Sequence, residues 1–280
     1  MQKTLIALAC ASASLAASAD PVILKVAHFW PATALSQQKV LEPWCAKIAQ
    51  ESNNTLQCQI YPSMQLGGTP PQLIQQAIDG VADIVWTLPG YTAGRFPSME
   101  VMELPFLTKD AEGGSRAAWE IYQKYGQKDF AGLKALAFHV HDRGQIHNNK
   151  RPITKVADFK GLKMRVPNVP VFVQFWRGVG AQPTPMAFGE VFTSLQTGVI
   201  EAQENPLALI KSASFFEVQK FVNRTEHVRS WIYLAIGEKS FNKLNAEQKQ
   251  AVQEAAKRAQ AYERQIMLAD EQKLEAELKA

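Results

Sequence analysis

Past its N-terminal segment, the chain alternates between stretches with strand patterning and stretches with helical patterning. Three strands are predicted, over residues 22–27, 56–61 and 81–86. Between the first two, the apolar residues of 36–52 recur at the spacing of one helix face. A second helix is expected to start at Thr69 as its N-cap, with Pro70 or Pro71 in the first turn. Strands separated by helices at this spacing predict a parallel sheet with crossover helices.

The middle of the chain repeats this arrangement before the pattern becomes helical. Strands are predicted over residues 135–141, 161–166, 202–204 and 231–236, and helices over residues 169–178 and 190–197. From Asn245 onward the pattern is that of one helix of roughly 30 residues, and Asn245 with Gln248 approximates an N-terminal capping box. No low-complexity linker is present, so two α/β lobes joined by ordered strands are expected, which predicts a hinged clamp. We assign residues 20–142 and 231–265 to the first lobe, and residues 143–230 and 266–280 to the second.

The first 19 residues have the pattern of a secretory signal peptide. Lys3 supplies a positive charge, residues 5–15 are apolar, and small residues at 17–19 suit cleavage before Asp20. The apolar run is shorter than the roughly 20 residues that a transmembrane helix needs. Cys10 could instead mark a lipoprotein, but the residues before it lack the usual Leu. The mature chain is therefore expected in the periplasm.

Composition narrows the class of protein further. The chain is 46% hydrophobic and 20% charged, as in an ordinary globular protein, and its formal net charge is only +4. This charge excludes a strong nucleic-acid footprint, and no basic run suggests a local one. No later apolar stretch is long enough to span a bilayer, so no membrane insertion is expected.

Cys45 and Cys58 are the cysteines that remain after signal cleavage. One lies on a predicted helix and the other on a predicted strand. In an oxidising compartment the two could form a disulfide. Alternatively, they are buried free thiols that act as small apolar groups. Neither role is catalytic, since the chain has no Cys-x-x-Cys motif.

The sequence contains no recognisable catalytic constellation. There is no Gly-x-Ser-x-Gly elbow, no Walker loop and no His-Glu-x-x-His motif. His139, His141 and His147 are the one histidine cluster, and alternation places the first two on one face of a strand. A zinc site is conceivable there, although no Cys or carboxylate has a convincing companion spacing. Hydrogen bonds at a strand end or in a cleft wall are the other interpretation.

Arg165 and Asn205 are the polar residues whose positions require an explanation. Arg165 lies between Met164 and Val166 in what reads as a buried strand. A buried guanidinium needs a partner, and its fork matches a carboxylate. That carboxylate could belong to the protein, as an internal salt bridge, or to a ligand. Asn205 stands before Pro206 at a strand end, where it could cap a turn or donate to a ligand.

Several motifs together resemble the DctP family, the substrate-binding proteins of tripartite (TRAP) transporters. The motifs are residues 161–168 (GLKMRVPN), residues 183–188 (PTPMAF) with Glu190, and residues 203–206 (QENP). Weaker matches are Tyr61-Pro62, residues 65–67 (QLG), residues 103–106 (ELPF), residues 216–219 (FEVQ) and the long C-terminal helix. The resemblance covers nearly the whole mature chain, with the motifs in family order.

The resemblance implies a fold, a ligand and partners. It implies a two-lobed α/β clamp spanned by a long helix, which closes over a small organic acid without a cofactor. Arg165 would form a bidentate salt bridge to the ligand carboxylate, Asn205 would donate to the same group, and Asn168 and Phe188 would line the pocket. A monomer is expected to deliver the ligand to the small and large membrane subunits, which are Na⁺-driven in this family.

Departures from the family pattern affect which class of ligand is expected. Sialic-acid binders of the family resemble this chain but carry polar residues where it has Phe29 and Leu88, and an Arg near Gly144-Gln145. Unpaired sugar hydroxyls would cost about 1–3 kcal/mol each in a closed pocket. With Trp30 and Trp86 at strand ends that face the cleft, we expect a monocarboxylate with a modest or aromatic tail, such as a 2-oxo or 2-hydroxy acid. These positions line the expected pocket: Phe29, Trp30, Trp86, Leu88 and Gln145.

Alternatives to this interpretation remain open at the level of the sequence. The aromatic residues could be core packing, and Arg143 could replace the second Arg of the family. Family members usually continue past a helix like 248–278, so a tail is either absent here or missing from the sequence. Other classes are the binding subunit of an ATP-driven importer, an extracytoplasmic sensor, and a secreted lyase or hydrolase with His139 or His147 as base.

Overall fold

The computed structural model describes residues 20–258 together with residues 273, 274 and 277. Within these residues the strands are β1 (Val22–His28), β2 (Leu56–Tyr61), β3 (Ile84–Thr87), β4 (Leu133–Val140), β5 (Gln145–Asn148), β6 (Lys163–Val166), β7 (Gln182–Pro185), β8 (Ala202–Asn205), β9 (Phe221–Asn223) and β10 (Trp231–Gly237). The helices are α1 (Glu42–Glu51), α2 (Leu73–Asp79), α3 (Ala111–Ile121), α4 (Pro170–Gly178), α5 (Val191–Gln196), α6 (Leu207–Ser212), α7 (Glu238–Lys243) and α8 (residues 246–258). The predicted signal peptide and most of the predicted helix after residue 258 lie outside the described residues.

The first lobe is built on a five-stranded sheet with the order β2-β1-β3-β10-β4. β1 runs parallel to β2 and β3, as predicted, whereas β10 is antiparallel to both β3 and β4. His28 is in register with Trp86. This register places the residues that follow β1 and β3 side by side at one edge of the sheet.

The second lobe is built on a five-stranded sheet with the order β7-β6-β8-β5-β9. β6 runs parallel to β7 and β8, and β5 is antiparallel to β8 and β9. Arg165 is in register with Gln203. The carboxyl ends of β6 and β8 are therefore adjacent, which brings Arg165 and Asn205 to the same edge.

Two ordered chain segments, residues 141–144 and residues 224–230, connect the lobes. They are hydrogen-bonded to each other: the backbone N–H of His141 donates to Ser230 (3.2 Å) and that of Gly144 to Val228 (2.9 Å). The connection is thus a paired crossing and not a flexible tether, as the lack of a linker predicted. The prediction of an α/β protein with two lobes is confirmed.

Local details correct and confirm the predicted boundaries. β3 begins at Ile84 instead of Val81, because α2 ends on Gly80 in the left-handed conformation (φ 84°) and a turn follows. At the start of α8, the Asn245 N–H donates to Gln248 (3.1 Å) and the Gln248 N–H donates back to Asn245 (2.9 Å), which confirms the capping box. Thr69 is the N-cap residue of the turn before α2 as expected, and both its N–H and its hydroxyl donate to the Gln72 side chain.

A disulfide joins Cys45 on α1 to Cys58 on β2, with the two Cα atoms 5.5 Å apart. Both helix and strand belong to the first lobe, so this covalent link lies within one lobe. The apolar core of that lobe continues across to α5 and α6 of the second lobe, where Phe188 meets Phe29. A separate apolar cluster around Met164, Trp176 and Val169 fills the other face of the second sheet.

Candidate functional site

A cleft lies between the two lobes, at the carboxyl ends of β1 and β3 on one side and of β6 and β8 on the other. This is the position at which open α/β sheets commonly bind ligands. The space measures about 880 Å³, the open solvent at its mouth included. Seven of the residues expected to line a pocket do line it: Phe29, Trp30, Trp86, Leu88, Arg165, Phe188 and Asn205.

The first-lobe wall of the cleft is a cluster of aromatic rings. Trp30 stacks on Phe29 (centroids 3.8 Å apart) and also lies against Trp86 (4.2 Å). Tyr91 meets Phe29 edge to face at 5.1 Å. The indole N–H of Trp86 donates to Nε2 of His139 (2.8 Å), so the polar atom of that ring is satisfied within the lobe. The wall therefore offers ring faces and edges to whatever the cleft holds.

Arg165 is the central polar residue of the second-lobe wall, and it is only 3% exposed. Its Nε and Nη2 donate to the Met186 carbonyl (3.1 and 2.8 Å), and Nη2 also donates to the Tyr91 hydroxyl (3.3 Å). Within the described part of the chain, Arg165 has no carboxylate partner and Nη1 makes no hydrogen bond. The Met186 carbonyl and the Tyr91 hydroxyl thus take the hydrogens of Nε and Nη2, which leaves Nη1 without an acceptor among the described residues.

Asn205 is held by a chain of amide hydrogen bonds. Its amide donates to the side chain of Gln203, which donates to Gln219 (2.8 Å), which in turn donates to the His147 carbonyl (2.8 Å). Burial lowers the pKa of His147 to about 4. This neutral ring places Nε2 3.2 Å from the Asn205 carbonyl oxygen. Asn205 is therefore fixed at the strand end rather than free to rotate.

The cleft also contains groups that sequence reasoning did not place there, Tyr91, Asp142 and Glu204, together with His141 of the histidine cluster. Glu204 is 7% exposed and accepts from Trp176 (3.2 Å), with His227 Nε2 at 2.7 Å from the same oxygen. Burial lowers the pKa of His141 to about 4. Since its Nε2 accepts from the Ser230 N–H (3.0 Å), the ring proton is on Nδ1. The buried carboxylate in the QENP motif was the one signal that could have indicated Glu204.

Two of the expected lining residues lie elsewhere. Asn168 is exposed after the end of β6. Gln145 is buried, but its side chain accepts from the Glu226 N–H (3.4 Å) and it does not line the cleft, whereas its neighbour Gly144 does. Arg143, the possible substitute for a second Arg, pairs with Glu226 (2.7 Å) and is not among the lining residues either.

The histidine cluster does not form a metal centre among the described residues. His139 accepts from Trp86, His141 contacts Ser230, and His147 lies against Asn205, so each ring has its own protein partner. No set of three or more metal-ligating side chains comes together in residues 20–258. The interpretation as hydrogen-bonding residues of the cleft wall fits this geometry.

The two lobes touch each other around the cleft, so the structure is closed. Arg165 of the second lobe reaches Tyr91 of the first. On the opposite side, the Thr33 hydroxyl donates to the Ser212 carbonyl (2.8 Å). A ligand in this space would contact both walls at once.

Comparison with known proteins gives the family. Residues 26–280 match the sequence model of DctP, described as bacterial extracellular solute-binding protein, family 7. The chain belongs to the DctP family. The resemblance predicted from the motifs is thereby confirmed. Within the described part of the chain, no helix combines the length and apolar character that a membrane span requires.

Three DctP relatives illustrate the range of the family. A solute-binding protein of Roseobacter denitrificans, RD1_1052, is 41% identical over 95% of this chain and 82% of its own. Its crystal structure contains L-galactonate and superimposes with a TM-score of 0.84 over 94% of this chain and 87% of that one. A TRAP solute-binding protein of Rhodoferax ferrireducens with copurified benzoate is 32% identical, with a TM-score of 0.85 over 92% of this chain and 81% of that one. The 2,3-diketo-L-gulonate-binding periplasmic protein YiaO of Escherichia coli is 32% identical over 81% of this chain and 70% of its own.

Proposed function

We propose that this protein is the solute-binding component of a TRAP transporter and captures a small organic acid by its carboxylate. One observation carries the proposal. Arg165 is buried at the cleft wall with a guanidinium fork whose Nη1 has no acceptor among the described residues, Nη2 being held by the Met186 carbonyl and the Tyr91 hydroxyl. A ligand carboxylate matches that fork with two parallel hydrogen bonds. The internal salt bridge, the alternative at the level of the sequence, has no carboxylate partner in the described chain.

For the tail of the ligand, the geometry favours an aromatic or other compact apolar group. Phe29, Trp30 and Trp86 form one continuous ring surface opposite Arg165. The Rhodoferax ferrireducens relative, with its benzoate, supports an aromatic monocarboxylate. The L-galactonate of RD1_1052 supports a second candidate, a sugar acid, which the polar groups of Asn205 and Glu204 could accommodate. We take the aromatic acid, or a 2-oxo or 2-hydroxy monocarboxylate, as the first candidate because of the ring surface.

Membership of the family supports a proposal for the partners and the location. TRAP binding proteins deliver their ligand to membrane subunits, and we propose the same for this chain, with export directed by residues 1–19. We keep as a proposal the division into lobes made from the sequence, 20–142 with 231–265 and 143–230 with 266–280; the two separate strand orders, β2-β1-β3-β10-β4 and β7-β6-β8-β5-β9, support it over the described strands. A catalytic role for His139 or His147 has little support, since their ring nitrogens contact protein groups.

A thermal-shift screen tests the proposal directly. The protein would be scanned with benzoate, 3-hydroxybenzoate, 2-oxobutyrate and L-galactonate. A ligand at about 100 times its Kd stabilises the folded state by about 2.7 kcal/mol, which raises Tm by about 5–10 °C in a chain of this size. A shift with the aromatic or 2-oxo acids supports the first candidate, and a shift with L-galactonate alone supports the second. Absence of any shift with a wide panel of acids would contradict carboxylate capture.

A further inference from the structure

Gly90 lies so close to the second lobe that a side chain at this position would clash with it. It lies in the short turn Pro89–Thr92 of the first lobe, and the nearest atoms beyond its own turn are those of Val169, immediately before α4. A Cβ added at Gly90 would lie 2.3 Å from Cγ2 of Val169. Such a separation is well below van der Waals contact, so a larger residue at Gly90 requires either the Val169 side chain or the lobes to shift.

The restriction at Gly90 comes from the facing lobe and not from its own backbone. The glycines that adopt positive φ include Gly80, Gly94 and Gly161, but not Gly90. An alanine could therefore adopt the same turn without strain. Val169 cannot easily move aside, because it is 6% exposed within the second-lobe apolar cluster and its branched side chain is stiff at χ1.

Neither partner of this contact lines the ligand cleft. The lining includes Tyr91 and Phe172 but neither Gly90 nor Val169. Gly90 is nevertheless adjacent to Tyr91, whose hydroxyl accepts from Arg165 across the cleft. The Gly90–Val169 contact thus belongs to the approach of the two lobes and is separate from the direct contacts of a ligand.

We propose that Gly90 is a positioning residue for ligand binding: its missing side chain lets the turn 89–92 seat against Val169, so that the lobes close and Tyr91 reaches Arg165. The inference rests on the proposed function, since closure matters to a protein that captures its ligand between two lobes. Ligand affinity falls in proportion to the population of the binding-competent state. A residue that hinders closure should therefore weaken binding without touching the ligand.

The test is a pair of substitutions designed to cancel each other. Gly90→Ala should weaken the binding of whichever acid of the screen shifts the wild type, by about 10- to 100-fold, as overpacked contacts do. Val169→Ala in that background removes Cγ2, and the remaining Val169 Cβ would lie 3.5 Å from the new methyl group, an ordinary contact. The double variant should recover most of the wild-type affinity by isothermal titration calorimetry. Val169→Ala alone serves as the matched control.

A merely structural role predicts different results. If Gly90 served only the packing of the first lobe, Gly90→Ala would lower the Tm of the ligand-free protein, and Val169→Ala would not rescue binding. Unchanged affinity in Gly90→Ala would also overturn the inference. We expect instead an unchanged ligand-free Tm, since lobes that separate would relieve the clash without unfolding either lobe.

A second readout separates this inference from the proposed function. Spin labels on Lys128→Cys and Gln174→Cys, exposed positions on opposite lobes, report the distribution of cross-lobe distances. The shortest distances of the wild type should be lost in Gly90→Ala and return in the double variant. If no acid binds the wild type but this pattern is found, the proposed function fails and only the part of Gly90 in lobe closure stands. If acids bind but the pattern is absent, the proposed function stands and the inference about Gly90 fails.

Discussion

The two walls of the cleft differ in chemistry, although each is formed by the ends of parallel strands. The first-lobe wall, after β1 and β3, presents the stacked rings of Phe29, Trp30 and Trp86. The second-lobe wall, after β6 and β8, presents Arg165 and Asn205. A molecule with one charged end and one apolar end satisfies both walls only when they are close together. The difference between the walls therefore couples ligand binding to closure, since a ligand favours the state with which it makes more contacts.

The two lobes also differ in how they accommodate a buried ionisable side chain. Arg165 is nearly inaccessible but has three hydrogen bonds from its guanidinium. Glu103, which lies behind the first-lobe wall near Tyr91, is 4% exposed, and neither of its oxygens has a hydrogen-bond partner in the described residues. Burial raises the pKa of Glu103 to about 8; the nearby Ser230 side chain opposes this in part, and the negative charges of Glu204 and Glu100 add to it. A buried group keeps its charge where hydrogen-bonding partners are arranged around it. A buried carboxylate without such partners takes up a proton and becomes neutral.

The largest expected effect is that of Arg165→Ala. This variant removes the guanidinium that we propose to bind the ligand and leaves a desolvated carboxylate without a partner. We expect a loss of about 2–5 kcal/mol in the binding free energy, in line with truncated buried ion pairs. Calorimetric titration with the best ligand of the thermal-shift screen measures it.

Arg165→Lys is the matched control, because an ammonium group keeps the charge but lacks the planar fork. It should bind with an intermediate affinity. Micromolar or tighter binding by the alanine variant would exclude the proposed role of Arg165 and leave the aromatic wall as the main source of affinity.

Glu103→Gln tests the contrast in buried charge. A carboxyl group whose pKa is raised in the folded state contributes stability that is fully present below about pH 4.5 and lost as pH rises toward 8. Glutamine has nearly the same shape and no such titration. The variant should therefore gain stability relative to the wild type as the pH rises from 5 to 8, by about 1–3 kcal/mol. Thermal unfolding across this pH range measures the difference.

Glu100→Gln is the control for that series, since Glu100 is an exposed carboxylate in the same short turn. Its difference from the wild type should change much less with pH. A stability difference for Glu103→Gln that is flat from pH 5 to 8 would mean that Glu103 is ionised in the folded protein.

Sequence reasoning located the walls because both depend on local patterns. Arg165 was recognisable as a charge between apolar residues of a strand, and Trp86 as an aromatic residue at a strand end. Tyr91 was not recognisable, because it lies in a turn without periodicity and its contact with Arg165 joins residues from different lobes. The side chain of Gln145 was misplaced for a related reason: its backbone is at the edge of the cleft, but its amide turns toward Glu226.

Two of the strands that sequence patterns missed, β5 and β7, lack an apolar signal. β7 contains Pro183 and Pro185, which cannot donate to a neighbouring strand and are tolerated because β7 is at the edge of its sheet. β5 consists mainly of buried polar residues, of which Asn148 donates to Asn223 on β9 (3.0 Å). Such strands are stabilised by specific partners that only the folded chain brings together.

The smallest expected effect sharpens the choice of ligand. Phe29→Leu keeps the first-lobe wall apolar but removes a ring that stacks on Trp30 and would lie against an aromatic tail. Because aromatic pairs contribute about 0.5–1.5 kcal/mol beyond buried area, the affinity for benzoate should fall by about 3- to 10-fold. The affinity for 2-oxobutyrate should change little.

Phe130→Leu is the control, because Phe130 is a buried ring of the first-lobe core outside the cleft lining. This variant should lower Tm and leave both affinities unchanged. An equal loss for the aromatic and aliphatic acids would mean that Phe29 supports the wall without contacting the ligand.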